Sequence, residues 1–182
     1  MTPSPLWTAS AAATATTGRQ TGDWSATGIS IDTRSLESGD LFVALSGPNF
    51  DGHDFITGAF DSGAAAALVS DVGQNSLDGR PGLIVADTLD ALRALAKAGR
   101  ARTGAKIAAI TGSVGKTGTK EALAHVLAPQ GSTSFSKNSL NNHWGVPLSL
   151  ARMPADADFG IFEIGMNHPG EIIPLVGMAR PH

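Results

Sequence analysis

The chain has 182 residues, 42% hydrophobic and 16% charged, with a formal net charge of −3 and no cysteine. That composition supports a packed core rather than disorder, offers no basic patch for nucleic acid, and excludes disulfides and a Cys-ligated zinc. No apolar run reaches the roughly 18–20 residues of a membrane-spanning helix, and the Ala/Thr-rich start lacks the basic opening of a signal peptide, so a cytoplasmic protein without membrane insertion is expected.

Residues 5–17 predict a short helix opened by Pro5 and ended by Gly18. A turn-rich stretch, 22–30, leads into a strand around Ile29–Ile31, and Leu41–Leu45 forms a second strand between Gly39-Asp40 and Gly47. His53 or Asp54 is placed to open a helix carrying Phe55, Ile56, Ala59 and Phe60, which Gly63 stops. Strands at 65–70 and 83–86 flank the polar loop 71–80. Asp87 or Thr88 then caps a helix with the apolar stripe Leu89, Leu92, Leu95, Ala96 and Gly99. That helix fades over 100–104, and a domain boundary is expected after residue 103.

The next stretch organises the chemistry. The apolar run Ile107–Ile110 ends in Thr111-Gly112-Ser113-Val114-Gly115-Lys116-Thr117, and a helical pattern follows with Ala122, Leu123, Val126 and Leu127 on one face. Strand, glycine loop and helix in that order suit phosphate: the glycines turn backbone N–H groups inward and the helix start adds partial positive charge. Lys116 can reach terminal phosphates, and the Thr117 hydroxyl is placed to ligate Mg2+. The longer form of this motif would need glycine where Ile110 stands; the alternative reading is a tight strand–helix turn with an exposed lysine.

After a helix over 119–127, Pro129-Gln130-Gly131 turns into a strand at 132–135. The segment 137–147 then concentrates Asn138, Asn141, Asn142, His143 and Trp144. Such amides both donate and accept, which suits phosphate, ribose or base, although Asn also caps its own turns. A short helix is expected at 148–152, then a buried strand at 159–164 carrying Glu163 near its end, where Mg2+–nucleotide ligands come from in parallel sheets. The alternative for Glu163 is a solvated or salt-bridged strand end. A helix over 172–179 would hold Pro174 awkwardly in its first turns. With only about three strands, the second half is short for an open parallel sheet, and the chain reads as one cut short.

Together the segments DTRSLESGDLFVALSG, DGHDFI, ITGSVGKTGTKE, NSLNNHWGVPLSL and FEIGMNHPGEI resemble the Mur ligases, the ATP-dependent amide ligases of cell-wall precursor synthesis. The resemblance runs from LWTAS to ARPH and implies an α/β protein. A small N-terminal UDP-muropeptide-binding domain (1–103) is followed by the start of a P-loop parallel-sheet ATPase domain (104–182). It is strongest to the branch joining D-Ala-D-Ala to UDP-MurNAc-tripeptide, and implies ATP, Mg2+ and, for the full-length protein, a monomer.

Carried onto matching positions, it implies that Thr33, Arg34 and the backbone near Gly47 hold the UDP part. Gly112, Ser113, Val114, Gly115, Lys116, Thr117 and Gly118 would cradle ATP, with Thr117 and Glu163 sharing Mg2+. Asn138, Asn141 and Asn142 would line the cleft between sugar and nucleotide, with Asn167 and His168 close by; Lys116, Glu163, Asn142 and His168 are the catalytic candidates. The implied chemistry is attack of a substrate carboxylate on the γ-phosphate, then attack of an amine on the acyl phosphate. Further groups used by the family, a second metal ligand set and a modified lysine, would lie beyond His182, which makes this piece incomplete and inactive. Two other readings stand beside it: a non-catalytic UDP-sugar-binding fragment, and a related ligase such as folylpolyglutamate synthase, against which DTRSLESGDLFVAL speaks.

Overall fold

A computed structural model describes residues 4–137, 140–166 and 168–182. The chain divides into two units, Met1–Ala94 and Leu95–His182, each taken here by itself.

The first unit comprises β1 (Trp7–Thr8), α1 (Ala9–Thr16), β2 (Arg19–Thr21), β3 (Ser25–Ala26), β4 (Gly28–Ser30), β5 (Asp40–Val43), β6 (Ser46–Gly47), β7 (Phe50–Asp51), α2 (Ile56–Asp61), β8 (Ala66–Ser70), β9 (Gly82–Val85) and the first half of α3 (Thr88–Ala101). Its main sheet runs β2-β9-β8-β5-β4, with β2 antiparallel at one edge and the other neighbours parallel. The central strands are short continuous apolar runs, buried on both faces as parallel strands are. Phe42, Ile56, Ala59, Val69, Leu77 and Ile84 pack into one core on the α2 side.

Two helix starts in this unit differ from expectation. Helix α1 begins at Ala9 because the Thr8 hydroxyl accepts the Ala11 N–H, while Trp7 and Thr8 stay extended against Ala26 and Ser25. The cap outweighs Pro5, and burying Trp7 holds the extended segment in place. Ahead of α2, a 3-10 turn over Gly52–Phe55 is opened by Asp51 rather than by His53 or Asp54, its carboxylate accepting the His53 N–H. At Gly63 the backbone turns left-handed (φ +94°) and the helix has ended.

The second unit contains the rest of α3, then β10 (Lys106–Ile110), α4 (Lys116–Leu127), β11 (Thr133–Phe135), α5 (Gly145–Ala151), β12 (Phe159–Glu163) and α6 (Ile172–Ala179). Its three strands are parallel in the order β10-β12-β11, so β12 is central; Ile110 lies opposite Glu163 and Phe135 opposite Ile161. Ala96 of α3, Ile107, Val146, Leu150, Phe162 and Leu175 share one core. The Arg100 guanidinium closes the C-terminal end of α6, donating to the carbonyls of Ala179 (2.8 Å) and Arg180 (3.1 Å).

Pro174 is well tolerated. It sits in the first turn of α6, where a backbone N–H has no intrahelical partner to lose. Along the outer side of β10, His182 donates its N–H to the Ile107 carbonyl and accepts the Ile107 N–H on Nδ1, both at 3.0 Å. Among the described residues, no helix is long and apolar enough to cross a membrane.

Candidate functional site

The site in the second unit is assembled where β10 and β12 end. Beyond Ile110 the chain turns through two glycines at positive φ, Gly112 (+150°) and Gly115 (+77°). Gly115 is the residue immediately before α4, in the left-handed region that other residues enter at a cost of about 1–2 kcal/mol. A side chain at Gly115 or Gly118 would meet nothing within 4 Å, so the outer side of the loop is open. The first-turn N–H groups of the 12-residue α4 have no intrahelical acceptors and Gly115 offers no side-chain cap, so this helix start favours an anion.

Four side chains, Lys116, Thr117, Asn141 and Glu163, make the polar contacts here. The Lys116 ammonium donates to the Gly112 carbonyl at 2.6 Å, which holds it over the loop. The Thr117 hydroxyl donates to one carboxylate oxygen of Glu163 (2.9 Å), and the Asn141 side-chain amide donates to the other (2.8 Å). Glu163 is 1% exposed, and a carboxylate so buried needs such donors. Its backbone N–H reaches the Ser136 hydroxyl at 3.4 Å.

This arrangement fits Mg2+, which takes oxygen ligands and keeps several waters beside one or two carboxylates. The Thr117 hydroxyl spends its one proton on Glu163 and keeps its lone pairs, and each Glu163 oxygen retains acceptor capacity.

The other candidates fall differently. The Asn142 side-chain oxygen accepts the N–H groups of Trp144 (3.1 Å) and Gly145 (2.8 Å), so it caps α5. His168 is exposed, and its backbone N–H donates to Glu171 at 3.1 Å. Asn138 and Asn167 lie outside the described residues. Lys120 carried no signal in the sequence, yet it is completely buried one helical turn beyond Lys116. Gly165 and Ser136, which abut Asn141 and Glu163, were equally silent: a glycine and a serine beside a strand are unremarkable until the fold brings them there.

In the first unit, Thr33 and Arg34 follow the C-terminal end of β4, and Gly47 follows that of its parallel neighbour β5. Carboxyl ends of adjacent strands are where α/β sheets bind ligands. Arg34 is 88% exposed at its side chain and forks onto Asp32 at 2.6–3.1 Å, which pulls the Asp32 carboxyl below its ordinary range and raises the Arg34 guanidinium. At Gly47 a side chain would fall 2.8 Å from the Phe50 ring, so the hairpin of β6 and β7 closes tightly.

Beside that hairpin lies a network the sequence did not disclose. His53 Nδ1 meets Asp51 at 2.6 Å, while Nε2 accepts the Ser70 N–H at 3.0 Å, which assigns the proton to Nδ1. The His53 N–H and ring, with the Ser46 hydroxyl at 2.8 Å, hold the Asp51 carboxyl down at about 2.

Residues 25–100 match the Mur ligase family, catalytic domain, and residues 110–182 match the Mur ligase middle domain. The chain belongs to the Mur ligase family. Among relatives, it is 44% identical over 154 residues to the UDP-N-acetylmuramoyl-tripeptide–D-alanyl-D-alanine ligase of Escherichia coli (strain K12), covering 84% of this chain and 33% of that protein. The enzyme of the same name from Bacillus subtilis (strain 168) is 40% identical over 154 residues, covering 85% and 34%.

Among solved Mur ligases, the UDP-N-acetylmuramoylalanyl-D-glutamyl-2,6-diaminopimelate–D-alanyl-D-alanyl ligase of Acinetobacter baumannii superposes with a TM-score of 0.83 at 35% identity, over 98% of this chain and 40% of that one. The MurF ligase of Thermotoga maritima, solved in complex with ADP, gives 0.64 at 30% identity, over 85% and 35%. The chain therefore spans about a third of the length of the curated Mur ligases it matches.

Proposed function

We propose that residues 104–182 bind Mg–ATP, and that the chain is the UDP-muropeptide-binding domain (1–103) and partial ATP-binding domain of a ligase joining D-Ala-D-Ala to UDP-MurNAc-tripeptide. The observation that carries this is the Thr117–Glu163 hydrogen bond, which joins the first turn of the loop-following helix to the end of the central strand. It sets a hydroxyl and a carboxylate side by side next to an open glycine loop with Lys116 at its mouth.

In the ligation, an oxygen of the muropeptide carboxylate attacks the γ-phosphorus and the bond to ADP breaks, giving an acyl phosphate. The amine of D-Ala-D-Ala then attacks the carbonyl carbon, phosphate leaves, and the amine gives up its proton. The loop N–H groups and Lys116 hold the phosphates in line and balance their charge. Thr117 and Glu163 would hold Mg2+, which would supply charge neutralisation for the transferred phosphate.

In this reading His168 and Asn142 belong to the catalytic set, and Asn138 and Asn141 contribute to binding the muropeptide. Thr33, Arg34 and Gly47 receive the UDP part at the strand ends of the first unit. The intact protein acts as a cytoplasmic monomer, and this third of it binds its ligands without completing the reaction.

Calorimetry on the chain with Mg–ATP and, separately, with UDP-MurNAc-tripeptide tests the reading. Saturable binding of both is expected. Binding of the UDP-sugar alone would show a substrate-binding module without a nucleotide site, and binding of neither would overturn the assignment.

A further inference from the structure

We infer that Asn141 is a positioning residue: its side-chain amide orients the Glu163 carboxylate so that Glu163 and Thr117 can hold the Mg2+ of the nucleotide. The inference rests on the Mg–ATP reading above and gives Asn141 a part in it other than contact with the muropeptide. A glutamate side chain has several rotatable bonds, and at a strand end nothing in the backbone fixes where its oxygens point. Here both oxygens are fixed, one by Thr117 of α4 and the other by Asn141. Removing Thr117 would remove a ligand as well as a restraint; Asn141 supplies the restraint alone. The residue type matters, because an amide donates to the carboxylate where an aspartate would place like charge against it.

Asn141 is itself held. Its backbone carbonyl accepts the Gly165 N–H at 2.8 Å, two residues past Glu163. A side chain at Gly165 would fall 2.9–3.2 Å from the carbon, oxygen and nitrogen of the Asn141 amide. Gly165 is not among the glycines at positive φ, so space for the amide, rather than backbone conformation, is what its lack of a side chain provides. Glu163, Gly165 and Asn141 thus interlock, and a methyl group at 165 pushes on the amide that holds the carboxylate.

The test is a fluorescent, non-hydrolysable ATP analogue titrated onto the whole chain in Mg2+ and in EDTA, followed by Mg2+ titrated at fixed nucleotide. Asn141→Ala is expected to raise the Mg2+ needed for half-saturation by about 10- to 100-fold, the range for partners that orient metal ligands. Affinity in EDTA should stay near wild type, while the melting midpoint falls, since the buried Glu163 carboxylate loses one of its donors. Gly165→Ala should shift the Mg2+ requirement in the same direction, and the double variant should be no worse than Asn141→Ala alone, since both act on one contact.

A wild-type Mg2+ requirement in Asn141→Ala, or equal losses in Mg2+ and in EDTA, overturns the inference while leaving the nucleotide site standing. If Asn141→Ala does not fold, Asn141→Ser and Gly165→Ala are judged on the same two outcomes. Failure of the wild-type chain to bind the analogue in either condition overturns the nucleotide site, and this inference with it.

Discussion

Lys116 and Thr117 are adjacent in sequence but differ in what holds them. Among the described residues the Lys116 ammonium donates to the Gly112 carbonyl of its own loop, an acceptor that it can exchange for phosphate. Lys116→Ala should therefore weaken ATP binding by about 1.5–3 kcal/mol, the worth of a hydrogen bond to a charged group. Its melting curve should match wild type; calorimetry showing undiminished ATP affinity would remove Lys116 from the site. Asp51 is governed by pH. Its folded carboxyl lies at about 2 against an ordinary 3.8, so the stability it contributes is present above the ordinary value and is lost as pH falls through about 2. Asp51→Asn should thus be less stable than wild type in urea at pH 7, with the gap closing near pH 2; a gap independent of pH would mean that the charge plays no part.

The elements divide into those that local sequence determines and those that distant contacts decide. The buried strands β5, β8, β9 and β12 were legible, because short apolar runs between turn residues have few other uses. Helix starts were not. Thr8 sits in an Ala/Thr-rich run with no period, and only the pairing of Trp7 with Ala26 shows that the helix begins after it. Helices were expected over 119–127 and 148–152, yet α4 begins at Lys116 and α5 at Gly145, since a glycine in the first turn can be carried by the turns that follow. The loop, Lys116, Thr117 and Glu163 were readable as a set, but no spacing rule links Asn141 to Glu163 or buries Lys120. Asn142 belongs to this scale, because it serves a helix. Asn142→Ala should lower stability by about 1 kcal/mol through the lost cap of α5. If denaturation is unchanged while nucleotide affinity falls, its part in the site outweighs the cap.

At the scale of the molecule, each unit has its own core, so a ligand held by one stabilises that one. Mg–ATP at about a hundred times its Kd adds roughly 2.7 kcal/mol to the state that binds it. Amide exchange should slow across 106–182 and stay unchanged across 19–85; uniform slowing of both would show that they unfold together. The pairing order in the second unit has a further consequence, for synthesis. Among the described residues β10 and β11 each pair only with β12, the last of the three strands to be made. Thr117 leaves the ribosome 46 residues ahead of its partner Glu163, and Asn141 leaves 22 ahead. Until β12 arrives, the earlier strands have no neighbour between them and the glycine loop has no carboxylate. One late segment thus joins these three strands and supplies the carboxylate together, so a nascent chain that can hold Mg2+ there is one whose three strands are already paired.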